Sequence, residues 1–286
     1  MKKYIIILFV FVSILSCNNY KNDENIVISL GGEVSTIDPH LNTANIGTVY
    51  IRHFFEGLMK KDKDGKIIPG IAERYEMSDD GLVYTFYLRT NAKWSDGKNF
   101  TADDFLYSYR RFVDPKTAAP YGHLMKPIKN ALKITKGEIP VEELGIKKID
   151  DYTLEITLEN PTAYFLELAD MYLPVRKDII EEYGNTWVLN PESYICNGPY
   201  KMKERIIDDK IVMEINTNYY YYDKLVAKNI TIKMISDRNT ALAGVRNGDI
   251  HFSNLVPPQE VEELRKEKLI VMNQAYGTVF FEINLT

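Results

Sequence analysis

The chain has 286 residues, 45% of them apolar and 12% aromatic, which is typical of a folded globular protein and excludes disordered, collagenous and coiled-coil chains. It carries 35 Lys and Arg against 40 Asp and Glu, a formal charge of −5, with the basic residues interleaved among the acidic ones. Because no basic stripe would attract phosphates over long range, nucleic acid is not expected as a partner.

The first residues have the pattern of an export signal. Two lysines precede a short apolar run at 4–15, which is too short to span a bilayer as a stable helix. The order Ile-Leu-Ser-Cys at 14–17 resembles the lipobox of bacterial lipoproteins, in which the cysteine is lipidated. We therefore predict a signal peptide at 1–16, lipid attachment at Cys17 and a tether over 17–25. A plain secretory signal with a chance cysteine is the alternative.

Predicted helices and strands alternate along the rest of the chain. In order, they are helix 46–59, strand 84–89, helix 102–113, strand 153–158, strand 211–216 and helix 239–246. Thr101 is the expected N-cap of the second helix, three residues before Asp104, and Gly248 is expected to end the last one. The chain is predicted to be mixed α/β.

Three local patterns have simple structural interpretations. The segment at 62–65 (Asp-Lys-Asp-Gly) lacks the glycine and oxygen ligands that a calcium loop needs next, so a hairpin turn through Asp64 and Gly65 is favoured. Cys196 has no intrachain partner and is predicted to be a buried small hydrophobic side chain. The tyrosine run at 219–222 is expected to pack rather than to contact a ligand.

Catalytic patterns are missing from the sequence. The four histidines have no metal-binding spacing, and no Cys-x-x-Cys, G-x-S-x-G, Walker or G-x-G-x-x-G motif occurs. Adjacent acidic pairs, such as Asp103 and Asp104, point apart on a regular element and are poor acid/base dyads. We therefore expect a binding protein, with no enzymatic activity, metal or cofactor.

Several motifs occur in an order that resembles one protein family. They are Ser35–His40 (STIDPH), Phe55–Leu58 (FEGL), Pro69–Glu73 (PGIAE), Tyr84–Phe105 with WSDG and TADDF, Asn197–Lys201 (NGPYK), Asn247–Ile250 (NGDI) and Phe281–Asn284 (FEIN). The chain resembles the family 5 extracellular solute-binding proteins, and among them the oligopeptide-binding proteins of ABC importers. The motifs span nearly all of the chain after the signal.

The resemblance implies an α/β fold of the two-lobed, periplasmic-binding-protein type II kind, which closes on a ligand by hinge motion. It implies a discontinuous first lobe at 26–56 and 181–286 and an inserted subdomain at 57–180. Family members continue beyond the last motif into a second lobe, so we expect that lobe to be absent here. One lobe would carry only one face of the ligand site.

The resemblance also implies ligand contacts. The stretch Thr43-Ala44-Asn45 aligns with the strand that pairs with the peptide main chain, and Tyr121 aligns with a tyrosine that lines the site. Asn254 lies near a contact loop, and Phe280 lies in the strand that leads to the cleft, although core packing is an equal alternative for Phe280.

By this resemblance, the protein captures oligopeptides for import and works with ABC transporter permease subunits. It would be exported and held by lipid at the inner membrane's outer face, the outer membrane or the cell surface. Another solute of the same family, such as a dipeptide, nickel chelate or sugar, stays open as the ligand. A surface lipoprotein acting as adhesin or sensor is the alternative from a different class.

Overall fold

Two large sheets and a small hairpin organise the chain, and the computed structural model describes residues 24–272. The strands are β1 (Asn25–Gly31), β2 (Met59–Lys61), β3 (Ile67–Pro69), β4 (Ala72–Met77), β5 (Val83–Leu88), β6 (Ile146–Asp150), β7 (Thr153–Thr157), β8 (Tyr200–Ile206), β9 (Lys210–Ile215), β10 (Asn229–Met234) and β11 (Phe252–Ser253). The helices are α1 (Asn45–Phe54), α2 (Ala102–Val113), α3 (Ala131–Thr135), α4 (Phe165–Met171), α5 (Lys177–Tyr183), α6 (Arg238–Asn247) and α7 (Val261–Glu267).

The first sheet is built from both ends of the described chain. Its strand order is β11-β1-β10-β9-β8, and β1 runs parallel to both β10 and β11. The second half of β1 is continuously buried, as expected for a parallel strand that is covered on both faces. Because the three parallel strands share a direction, the loops that follow them meet at one edge.

The second sheet is antiparallel, with the order β4-β5-β7-β6. One face of β5 buries Tyr84, Phe86 and Leu88, and the alternating residues between them are partly exposed. Phe165 of α4 packs on that face, with its ring centroid 4.8 Å from that of Tyr84. Because successive side chains of a strand point to opposite faces, β5 buries every second residue and leaves the others partly exposed.

Most predicted elements are confirmed within a residue of their expected bounds. The three alternating segments form β5, β7 and β9, and two predicted helices form α2 and α6. A capping box begins α2, where the Thr101 amide donates to the Asp104 carboxylate at 2.8 Å. Gly248 ends α6 with φ +81°, the left-handed conformation that glycine adopts readily.

The helix predicted over 46–59 is too long. The observed helix α1 ends at Phe54, and Phe55 is extended, with φ −128° and ψ 145°. The Glu56 amide donates to the Asn197 side chain at 3.1 Å, and a Cβ on Gly57 would lie 2.6 Å from a carbonyl oxygen of α4. Tertiary contacts therefore end the helix and direct the chain into β2, although its apolar spacing continues.

The local interpretations can be compared with the structure directly. A hairpin turn joins β2 to β3, with Gly65 at φ +79°, as predicted. Cys196 is fully buried, and this burial raises the pKa of its thiol to about 12, so the thiolate is not available at neutral pH. Within residues 24–272, no helix is both long and apolar enough to cross a membrane.

Candidate functional site

The carboxyl edge of the parallel strands is the natural place for a ligand in an open α/β sheet. Gly31 ends β1 and Gly32 follows it, Ser236 follows β10, and Asn254 follows β11. The backbone approaches closely here, because a Cβ on Gly32 would lie 2.5 Å from the Ser236 hydroxyl oxygen. A Cβ on Gly31 would lie 2.9 Å from Ile46 in the first turn of α1. The start of α1 therefore packs against this edge.

The loop before α1 is held by one buried side chain, that of Asn42. Its Oδ1 accepts from the Ala44 amide at 3.2 Å, and its Nδ2 donates to the Ala44 carbonyl at 3.0 Å. A Cβ on Gly47 would lie only 2.1 Å from Asn42 Oδ1, so the glycine leaves room for this amide. Both backbone groups of Ala44 are thus used inside the protein.

The structure brings together the first two of the predicted contact regions. The Tyr121 hydroxyl donates to the Thr43 carbonyl at 3.5 Å, a long hydrogen bond, and both residues are exposed. Asn254 is exposed at the same edge of the sheet, but no hydrogen bond joins it to the loop at 43–45 in the described part of the chain. Cys17 and Phe280 lie outside the described residues.

A buried ion pair between Arg111 and Asp38 holds the segment that precedes the loop at 42–45. Arg111 of α2 donates to Asp38 at 2.8 Å and to His40 Nδ1 at 2.7 Å, and Trp187 Nε1 donates to Asp38 at 3.1 Å. Burial raises the pKa of Asp38, but the charge and hydrogen bonds of Arg111, together with His40, whose amide donates to the carboxylate at 2.8 Å, hold that pKa below its ordinary value. The pair therefore fixes the segment that leads into the loop against α2.

His40 is neutral in this network. Its Nε2 lies 2.9 Å from the Leu173 carbonyl, which can only accept, and its Nδ1 faces Arg111, which can only donate. Burial, and then the positive charge of Arg111, lower the pKa of His40 to about 4. His40 thus connects three separate segments without carrying charge at neutral pH.

Comparison with known proteins identifies the family. Residues 66–286 match the model described as bacterial extracellular solute-binding proteins, family 5 Middle. The chain belongs to this family. Its mixed α/β structure is that of the periplasmic binding proteins of the oligopeptide-binding type.

Three relatives show the degree of similarity. The periplasmic oligopeptide-binding protein OppA of Salmonella typhimurium is 37% identical over 268 residues, covering 91% of this chain and 49% of that protein. The dipeptide-binding protein DppE of Bacillus subtilis is 30% identical, covering 93% and 48%. The crystal structure of Haemophilus influenzae OppA in complex with RPPGFSPFR is 36% identical with a TM-score of 0.82, covering 86% and 49%. The chain spans about half the length of the curated relatives it matches.

A second polar cluster lies at the opposite end of α1 in this family member. The Glu56 carboxylate accepts from the Tyr219 hydroxyl at 2.6 Å, from Tyr220 and from Lys60 at 3.1 Å. Burial and the neighbouring Glu56 charge raise the pKa of both tyrosines, which therefore remain donors. Lys60 also lies 5.2 Å from the centre of the Tyr220 ring. Tyr219 and Tyr220 pack at the junction between the two sheets, as predicted for the run at 219–222. Tyr221 and Tyr222 are exposed, so the packing prediction is wrong for these two.

Two surface cavities are lined by residues other than the predicted contacts. One, of about 320 Å³, is lined mainly by the end of α2 and the loop 114–123, next to Tyr121 in the chain. The other, of about 710 Å³, surrounds the far end of α1 and includes Arg52, Glu56 and Lys60. None of the predicted contact residues that the structure describes lines either cavity. Within residues 24–272, no group of three or more His, Cys, Asp or Glu side chains is placed to hold a metal ion.

The supporting residues were missed by sequence reasoning. In the sequence, Asp38 and His40 stand out only as parts of a family motif, and Arg111 is one of two adjacent arginines on α2. No spacing rule connects Asp38 to a partner 73 positions away. The Asn42 contact is local, and an asparagine two residues before a helix N-cap is a signal that could have been used.

Proposed function

We propose that the protein carrying this chain is an exported, lipid-anchored solute-binding protein that captures oligopeptides for import by an ABC transporter. The Tyr121 to Thr43 contact at the carboxyl edge of the parallel strands supports this most directly. Identity of 37% to an oligopeptide-binding relative supports the ligand class. The anchor is proposed from Cys17 in the lipobox, and the transporter's permease subunits are the proposed partner.

Main-chain pairing suits a binder that must accept varied sequences, because it supplies affinity without reading side chains. Of the proposed stretch 43–45, Ala44 has both backbone groups held by Asn42. We infer that Thr43 and the free first-turn amide of Asn45 carry the pairing, and that Tyr121 covers the peptide at Thr43. Asn254, which follows β11, and Phe280 are the other proposed ligand contacts.

We propose the lobe at 26–56 and 181–286, with an inserted subdomain at 57–180, as the domain division. This agrees with sheet membership, since the first sheet takes strands from 25–31 and 200–253 and the second from 72–157. The opposite face of the cleft would come from a second lobe. Affinity would then require both lobes, because closure is what buries the ligand.

Calorimetry of the full-length gene product with tri- to pentapeptides of mixed sequence tests the ligand class. We expect binding, and we expect Tyr121→Ala to weaken it about tenfold, the loss of a truncated aromatic contact. Tyr164→Ala, a change at a half-exposed tyrosine on the second sheet's helix, serves as the matched control. No binding of any such peptide, or equal affinity in both variants, would contradict the proposal.

A dipeptide is the second candidate ligand, because DppE, named as a dipeptide-binding protein, is 30% identical. Binding of dipeptides in preference to longer peptides in the same titration would decide for it. For the anchor, Cys17→Ser is expected to release the protein from membranes, and retention of the variant would refute the lipidation.

A further inference from the structure

One loop of the first sheet lies beside the residue at which the described structure begins. Residues 216–228 join β9 to β10 at the edge opposite to the carboxyl ends of β1 and β10. The Lys228 amide donates to the Glu24 carbonyl at 2.6 Å, and the two side chains form an ion pair. The loop is therefore attached directly to the segment that leads back to Cys17.

The length of this segment limits how far the loop can be from a lipid anchor. Seven residue steps separate Cys17 from Glu24. A fully extended chain covers at most about 3.6 Å per residue, or roughly 25 Å in all. A lipid on Cys17 would therefore keep the bilayer surface at a high effective concentration beside this loop.

The loop exposes apolar and aromatic side chains. Val226 is 88% exposed, the largest fraction among the large apolar side chains in the part of the chain that the structure describes. Tyr221 and Tyr222 are 42% and 48% exposed, whereas Tyr219 and Tyr220 pack at the junction between the sheets. A tyrosine has an apolar ring and a polar tip, which suits the boundary between lipid and water. Packing thus explains only half of the tyrosine run.

Lysines surround these groups in an otherwise acidic protein. The β2–β3 hairpin lies beside the loop, since Lys60 is 5.4 Å from the centre of the Tyr221 ring. The segments 60–66 and 219–228, here called the anchor-side surface, carry six lysines and three aspartates, although the whole chain has a formal charge of −5. Lys63 and Lys224 are 89% and 74% exposed. The anchor-side surface therefore complements the charge of an anionic membrane.

The opposite edge of the sheet lacks this combination. The turn between β8 and β9 lies there, because the Asp209 carbonyl accepts from the Met234 amide, at the end of β10, at 2.8 Å. This turn exposes Ile207, but its charged residues are Asp208 and Asp209. An anionic membrane would not attract it, so charge distinguishes the two edges.

We propose that the anchor-side surface rests on the anionic headgroups of the membrane that holds the lipid anchor. Val226 and the two exposed tyrosines enter the interface, and the lysines pair with lipid phosphates. The carboxyl edge with the candidate ligand site then points away from the bilayer. This inference rests on the proposed lipidation of Cys17, because a small surface of this kind binds membranes weakly without a tether.

Coupling Cys17 of the protein, expressed without residues 1–16, to a maleimide-bearing phospholipid tests the contact without relying on lipidation in the cell. Cys196 does not compete, because burial raises the pKa of its thiol to about 12. The reporter is Val226→Trp, in vesicles of phosphatidylcholine and phosphatidylglycerol whose brominated acyl chains quench an inserted indole. Trp94 and Trp187 are each only 1% exposed and give a constant background.

The matched reporter is Ile207→Trp, at the opposite edge. We expect strong quenching of Val226→Trp and none of Ile207→Trp. An unquenched Val226→Trp in the tethered protein would overturn the proposal, and a protein partner would then be the candidate for this surface. Equal quenching of both reporters would also overturn it, since no face would be preferred. Neither result depends on lipidation in the cell, which the release experiment with Cys17→Ser tests separately.

Charge reversal in the Val226→Trp protein tests the lysines. We expect Lys63→Glu/Lys224→Glu to lower the ratio of membrane-bound to free surface about 30-fold or more, because each lysine near an anionic membrane contributes about a factor of five. Lys133→Glu/Lys136→Glu makes the same change at exposed lysines of α3 and its C-cap, and should leave the quenching as it is. Quenching that survives the first pair of changes would refute the proposal.

Discussion

Acidification should destabilise this protein through His40, and the size of the effect follows from its surroundings. Burial and Arg111 lower the pKa of His40 from 6.5 to about 4 in the folded state. The unfolded chain therefore binds more protons between these values, so the stability is present above about pH 6.5 and is lost as the pH falls toward 4. The full shift corresponds to about 3 kcal/mol at 1.36 kcal/mol per pKa unit.

The variant His40→Gln isolates this contribution. A glutamine can donate to the Leu173 carbonyl and accept from Arg111, as the neutral imidazole does, but it does not titrate. We expect the variant to be less stable than the wild type at pH 7.5, because the shape of the ring is lost. The difference in the free energy of unfolding between the wild type and His40→Gln should decrease by about 2–3 kcal/mol between pH 7.5 and pH 4.5.

Urea unfolding of both proteins at pH 7.5, 6.5, 5.5 and 4.5 measures this difference in the free energy of unfolding. His123→Gln makes the same change at an exposed histidine and supplies the baseline for the substitution itself. If the wild type and His40→Gln lose stability in parallel over this range, the buried, neutral state of His40 does not govern acid sensitivity and the reasoning fails.

Two further predictions concern stability. Burial raises the pKa of Asp104 to about 6, so this residue contributes stability that is fully present below pH 3.8 and is lost as the pH rises through 6. Relative to Asp104→Asn, the free energy of unfolding of the wild type should fall by about 1–2 kcal/mol between pH 4 and 7 in the same urea series. A difference between the two proteins that does not change with pH would refute this. In Gly198→Ala the new Cβ would lie 2.6 Å from the Phe54 carbonyl, so we expect a loss of roughly 2 kcal/mol in denaturant unfolding, and a change below about 0.5 kcal/mol would show that the backbones can separate.

The fold elements that depend on local periodicity could be predicted from the sequence. In the segment that forms β5, Tyr84, Phe86 and Leu88 alternate with less buried residues, and α2 combines an apolar stripe with a capping box, so both elements can be recognised from local pattern. The end of α1 could not be predicted, because apolar residues continue at helical spacing to residue 59. What ends the helix is Asn197, 141 positions away.

The candidate site depends mainly on contacts between residues far apart in the sequence, which local patterns do not predict. Only the family resemblance points to Thr43 and Tyr121, and their contact depends on how the chain after α2 meets the loop before α1. Arg111 and Asp38 are scattered charges until the fold pairs them.

The helix α1 connects the candidate ligand edge to the junction between the sheets, and both of its ends are fixed by the same device. Asn42 pairs its amide with the N–H and C=O of Ala44 at the start, and Asn197 does the same with Glu56 beyond the end, at 3.1 and 2.9 Å. Removing the Asn197 amide takes away the partner of both backbone groups of Glu56, whereas removing the Asn42 amide leaves only the Ala44 N–H unpaired, because the Ala44 carbonyl still accepts from the Thr48 amide at 3.0 Å. The cost is about 1–3 kcal/mol for each unpaired group that stays buried. Because α1 is only ten residues long, its own hydrogen bonds would hold it weakly without these contacts. The position of Thr43 is therefore set as much by the junction at Glu56 as by the loop that contains it.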